Sequence, residues 1–149
     1  MDDREKADYE RMLYYLPSKM KKAGSKLTSD YSANFPYKDY YFPVLQAIYY
    51  QDGVSQKEIV RTVAFDKSRI SVIVNELIEQ GFVTDSGEGR TSCLHLTDKG
   101  KQANTVGRMY SKIFYDKVFS SFNEEELKAA ADFFIKLDKV LDEIISDKE

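Results

Sequence analysis

The chain is poor in the residues that build covalent staples and metal centres: among 149 residues there is one cysteine and one histidine. A single thiol excludes an intramolecular disulfide framework and fits a reducing compartment. One imidazole and one thiol leave a zinc site dependent on carboxylates or on a second subunit, so neither a metal nor another cofactor is expected. No apolar run reaches membrane-spanning length, and the N-terminal MDDREKADYERM is charged, without the apolar core of a signal peptide. A cytoplasmic protein with no membrane partner is the default expectation. Repeats, low-complexity tracts and interdomain linkers are also lacking, and the length suits one domain over residues 1–149 with a core of its own. Neither charge dominates. A formal net charge of -3 and a pI near 5.3 weigh mildly against a nucleic-acid partner. Phosphates, however, respond to charges within a Debye length of about 8 Å, so local placement of the cations decides.

What the chain does have is helical periodicity. Asp3 to Met20 sets Ala7, Met12, Leu13 and Leu16 on a helix, which Pro17 is expected to kink or end because proline lacks an N–H and crowds the preceding turn. Lys19 to Ser32 is polar and shows no clear boundaries. A tyrosine-rich loop, or a loop running into a helix, over Asn34 to Tyr41 precedes a stripe of Val44, Leu45, Ile48 and Tyr49, with Pro43 at a first helical position and Asp52-Gly53 as the stop. Ser55-Gln56-Lys57-Glu58 is a capping-box sequence, opening a short helix with Ile59, Val60 and Val63 on its apolar face. Asp66 can cap the next helix, in which Ile70, Ile73, Val74, Leu77 and Ile78 share one side before Gly81 ends it. Phe82 to Thr84 and Ser92 to Leu96 are strand-like around a turn-rich Ser86-Gly87-Glu88-Gly89 tip. Thr97 then caps a helix reaching about Phe119. Asn123 opens a last one, striped by Leu127, Ala130, Ala131, Phe134, Leu137, Leu141, Ile144 and Ile145.

Two short helices, a tight corner and a hairpin that returns into a third helix, all between Val54 and Gly100, make the pattern of a winged helix-turn-helix. The expected fold class is mainly α with a small β-hairpin wing. A major-groove reader needs short polar side chains and a forked cation at the start of a helix, where they meet base edges. Lys67, Ser68, Arg69 and Ser71 meet that need, and Arg69 suits guanine O6 and N7. Lys67 and Arg69 also read as plain solvated charges opposite Asp66. Asn75, two turns in, is at depth for a phosphate or a base edge, or is neutral surface. Ser55, Gln56 and Lys57 begin the preceding helix, where donors meet phosphate. Arg90 at the wing suits a narrow A·T minor groove, or pairs with Glu88 to stiffen the tip. Glu58, Asp66, Glu76, Glu79, Asp85 and Glu88 offset these cations, so modest non-specific affinity is expected.

In this order and spacing, the Val44-Leu45 helix, Ser55-Gln56-Lys57-Glu58-Ile59, Asp66-Lys67-Ser68, Asn75-Glu76-Leu77, Gly81-Phe82-Val83, Arg90 and Leu96-Thr97-Asp98-Lys99-Gly100 resemble the MarR family of bacterial transcription regulators. The resemblance runs from about Phe42 to Gly100, and the flanking helices agree in order and length. It implies an obligate homodimer in which terminal dimerisation helices (about 1–33 and 101–149) interleave and carry DNA-binding lobes (about 42–100). It also implies a pseudo-palindromic operator in double-stranded DNA, and binding that a small ligand or an oxidant weakens. The wing departs from the family pattern: Glu88-Gly89-Arg90 stands in place of Asp-Arg-Arg, Asp85 replaces a common basic residue, and the tip is shorter.

Apolar stripes on the terminal helices, including Met109, Ile113, Phe114, Val118 and Phe119, exceed what one small lobe needs. They fit a two-fold mate that would set two reading helices about 34 Å apart; an intrachain helical core is the alternative. Tyr31, Phe35, Tyr37, Tyr40, Tyr41, Phe42, Tyr49 and Tyr50 crowd the segment that would line a ligand cleft. Tyr37, Tyr41 and Tyr49 are the candidate contacts to a small aromatic or apolar ligand, with ordinary packing as the alternative. Cys93 and His95 share one strand face, but no pattern supplies an oxyanion hole or a third orienting group, so no enzyme is expected. The expected function is a homodimeric, sequence-specific DNA-binding transcription regulator, a repressor relieved by a ligand. The alternative is a winged-helix protein-interaction module that has lost DNA binding, favoured by the acidic balance and the altered wing.

Overall fold

The computed structural model describes residues 1–32 and 35–147, the side chains of Thr28 and Asp30–Ser32 excepted. Its elements are α1 (Asp3–Ser32), α2 (Tyr41–Tyr50), α3 (Gln56–Thr62), α4 (Lys67–Glu79), β1 (Val83–Asp85), β2 (Leu94–Leu96), α5 (Asp98–Phe119) and α6 (Glu124–Ser146). Each expected cap forms. The Ser55 hydroxyl accepts from the Glu58 amide at 3.1 Å, and the Glu58 carboxylate accepts from the Ser55 amide at 3.3 Å. Asp66 accepts from the Arg69 amide at 2.8 Å and Thr97 from the Gly100 amide at 3.1 Å. Asn123 and Glu126 close a reciprocal box at 2.9 Å each way. Gly81, at φ 78°, takes the left-handed turn after α4 that a side chain would resist.

Among the described residues the buried core lies between residues 41 and 103. Val44, Leu45 and Ile48 of α2, Ile59 of α3, and Ile70, Ile73, Val74 and Leu77 of α4 meet Phe82, Val83 and Leu94 of the hairpin and Ala103 of α5. The strands pair antiparallel, Val83 with Leu96, Thr84 with His95 and Asp85 with Leu94. Leu94 is also bridged to Val54: its amide donates to the Val54 carbonyl at 3.0 Å and its carbonyl accepts from Gly53 at 2.8 Å. The turn between α2 and α3 thus behaves as a third strip of the wing.

Some expectations are corrected. Pro17 lies inside α1 and does not end it; proline costs the ladder one bond, and the Met-Leu and Lys-Met turns on either side carry it on. The same helix runs through the polar Lys19–Ser32 stretch. α2 begins two residues before Pro43, which remains in the first turn, where amides have no intrahelical acceptor. Tyr49 and Ile78 stand partly exposed rather than inside the stripes assigned to them.

α5 packs against α1 and α2. At Gly107 α5 packs tightly on α2: a Cβ there would lie 2.2 Å from the Phe42 ring. The terminal stripes form no intrachain core. α6 buries none of its residues, and Phe134, Leu141 and Ile144 stay about half exposed, as do Met12, Leu13 and Met20 of α1. Among the described residues no helix is long and apolar enough to cross a membrane.

Candidate nucleic-acid interface

Ser55, Gln56, Lys57, Lys67 and Arg90, which the sequence scatters over thirty-odd positions, line one open groove of about 790 Å³ between α3, the start of α4 and the wing. Three cations therefore face a common space. Asp85 shares it, but its carboxylate accepts from the amides of Gly87 and Cys93, both at 2.9 Å. This acid thus folds the wing tip. Among the described residues Arg90 has no ion-pair partner, so the expected alternative of a pair with Glu88 does not form.

The α3 terminus is more occupied than the sequence implies. The Ser55 hydroxyl is committed to Glu58, both accepting from its amide and lying 3.0 Å from its carboxylate. The Gln56 amide donates to the Ser92 hydroxyl at 2.7 Å. This end of α3 is closed by its own box and by the wing, which leaves the groove-lining Gln56 and Lys57 as the phosphate candidates of α3. Glu58 is held below the usual carboxylate range, chiefly by the Ser55 hydroxyl and amide.

At 3.6 residues per turn, the α4 face opposite buried Ile70, Ile73, Val74 and Leu77 carries Ser68, Val72 and Asn75, all exposed, with Ser71 beside them. Arg69 lies on a flank instead. Its guanidinium sits 4.3 Å from the centre of the Phe65 ring and 5.8 Å from that of Tyr40. On the same flank Glu76 accepts from Tyr41 at 2.9 Å, Tyr40 at 3.2 Å and Lys38 at 3.3 Å. The Tyr41 hydroxyl, then Lys38, hold the Glu76 carboxyl below its ordinary range. Burial, then this bond, pushes the Tyr41 phenol up.

The tyrosines named as ligand contacts are engaged in packing. Tyr41 is core, 5% exposed; Tyr37 packs edge-on to Phe82 at 5.2 Å; and the Arg108 guanidinium covers Tyr49 at 4.4 Å. The Tyr31 side chain lies outside the described residues. An aromatic cavity of about 400 Å³ exists nearby, between α1, the entry to α2 and α5, walled by Phe35, Phe42, Tyr110, Phe114 and Tyr115. Phe35 and Phe42 belong to the aromatic segment singled out in the sequence, whereas Tyr110, Phe114 and Tyr115 are brought in by α5.

His95 meets the orienting group that no sequence pattern supplied. Its Nδ1 lies 2.8 Å from Asp52, and its Nε2 2.8 Å from the Ser86 hydroxyl and 3.5 Å from the Cys93 sulfur. These bonds tie the α2–α3 turn to both wing strands, so the pair serves as a latch for the wing.

Residues 43–100 match the family model described as F-93, winged-helix domain. A MarR family protein from Bacillus stearothermophilus superposes with a TM-score of 0.67 at 20% identity, over 95% of this chain and 98% of that one. The MarR fold is this chain's fold. A MarR transcriptional regulator from Methanosarcina mazei Go1 aligns with a TM-score of 0.67 at 20% identity, over 88% and 90%. A MarR family protein from Mycobacterium tuberculosis, in complex with salicylic acid, aligns at 0.61 and 16%, over 85% and 93%. No curated protein matches the sequence. In this MarR fold the α3–α4 pair is the helix-turn-helix, α4 its second helix, and β1–β2 the wing.

Proposed function

We propose that two copies of this chain join through α1, α5 and α6 and bind a pseudo-palindromic operator in duplex DNA, as a transcription repressor. The observation that carries the reading is the groove shared by Lys57, Lys67 and Arg90 beside an α4 face of short polar side chains. Phosphate contacts from such cations position a protein on the duplex, and base edges specify it. Dimerisation is supported by the apolar faces that the terminal helices leave uncovered, with Phe134, Leu141 and Ile144 of α6 and Met12 and Leu13 of α1 about half exposed. Relief of repression is assigned to a small apolar or aromatic ligand in the cavity walled by Phe35, Phe42 and Phe114. Such a ligand acts only through a difference in affinity between head spacings. The salicylic acid bound by the Mycobacterium tuberculosis protein supports that ligand class.

Selection of bound sequences from a random DNA pool, followed by a salt titration, tests this. The expected result is an enriched inverted repeat with half-sites about one helical turn apart. Affinity should fall steeply with salt as counterions are released. No enrichment, with a flat salt response, overturns DNA binding in favour of a protein-interaction module, the reading that the acidic residues Asp85 and Glu88 favour.

A further inference from the structure

Val72 is 57% exposed at the middle of the outward strip of α4. The helix's other apolar side chains, Ile70, Ile73, Val74 and Leu77, are at most 3% exposed, with Ile78 at the C-terminal end the exception. A β-branched residue gains nothing for an exposed helix, whose propensity scale ranks it low. The surrounding strip is short and polar, with Ser68 one turn before, Ser71 adjacent and Asn75 one turn after. Among the described residues nothing hydrogen-bonds the Asn75 amide. The one arginine of α4 is stacked on Phe65, away from this strip.

In the major groove, thymine alone presents a methyl group, and adenine presents the N7 acceptor and N6 donor that an amide engages in a bidentate pair. Resting on the DNA-binding reading above, we infer that α4 reads neighbouring A·T pairs. Val72 packs on a thymine methyl and Asn75 pairs with an adenine, while Arg69 holds the backbone. The spacing agrees. Val72 and Asn75 are three residues apart, about 4.5 Å along the helix, close to one base step of about 3.4 Å.

The test uses the full-length protein and the sequence it enriches. Each thymine of a half-site is replaced in turn by deoxyuridine, which lacks only the methyl, and Kd is measured for the native protein and for Val72→Ala. One position is expected to weaken native binding about fourfold, the worth of one buried carbon, and to have no effect on Val72→Ala. At a neighbouring position 7-deazaadenine should weaken the native protein and leave Asn75→Ala indifferent. Equal losses in native protein and Val72→Ala at every thymine, with binding otherwise intact, overturn the inference while leaving DNA binding standing. Failure of the pool to enrich any sequence overturns DNA binding itself. Val72 is on the surface, and an unchanged Tm for Val72→Ala separates a lost contact from a lost fold.

Discussion

Arg69 illustrates how a side chain's value is set by the face it occupies. Its position one turn into α4 suits guanine, yet stacking on Phe65 draws the guanidinium to the flank beside Tyr40. Arg69→Ala is therefore expected to lower affinity by a similar factor for all sequences and to reduce the log–log salt slope by about one. Competition assays against single-base operator variants check this; a lost preference for a G·C pair would return Arg69 to base reading. Glu76 provides a second residue-scale prediction. Its folded-state pKa lies below the ordinary value because Tyr41 and Lys38 favour the carboxylate. Its contribution to stability is thus complete above the unfolded value of about 4.3 and is lost as pH falls through the folded value. Glu76→Gln should be less stable than the native protein at pH 7, and the gap between the two urea midpoints should narrow as the pH falls and the Glu76 carboxylate is protonated.

At the scale of elements, two helices cross where a side chain is missing. A Cβ at Gly107 would meet the Phe42 ring at 2.2 Å, whereas one at Gly24 of α1 would have nothing within 4 Å. Gly107→Ala must displace Phe42 from the α2–α5 crossing into the neighbouring cavity, at a cost of about 1–3 kcal/mol. Gly24→Ala should raise stability, since alanine is the better helix former by about 1 kcal/mol. Opposite shifts in Tm for the two substitutions check the packing, and equal shifts would refute it. The wing shows the same dependence on neighbours. Its hairpin was legible from the turn residues, but the bridge from Val54 to Leu94 and the bond from Asp52 to His95 join segments some forty residues apart. No local pattern encodes such a meeting.

For the whole molecule the decisive feature is where the core is absent. Among the described residues all fully buried apolar side chains lie between residues 41 and 103, and the long outer helices keep Phe134, Ile144 and Met12 in contact with water. Replacing both Phe134 and Ile144 by Asp is expected to yield a monomer in sedimentation at micromolar concentration. Operator affinity should fall by about a hundredfold or more, because the second head no longer binds at the effective concentration set by the first. A dimer that survives the double substitution would move the interface elsewhere.

The order of helices, their caps and most of the faces that α2, α3 and α4 bury followed from the chain alone. Hydrophobic spacing and the Ser55, Asp66, Thr97 and Asn123 caps act within a turn or two, and so do not depend on the rest of the fold. Periodicity also contained Val72, since an apolar residue on a polar arc is visible at a spacing of 3.6. The continuation of α1 past Pro17, the α5 rings that complete the cavity, the commitment of Ser55 and Gln56, and the flank taken by Arg69 came only from tertiary structure. Each depends on a neighbour distant in sequence or on the summed stability of a long element, and side-chain direction is decided by the packing that such neighbours impose.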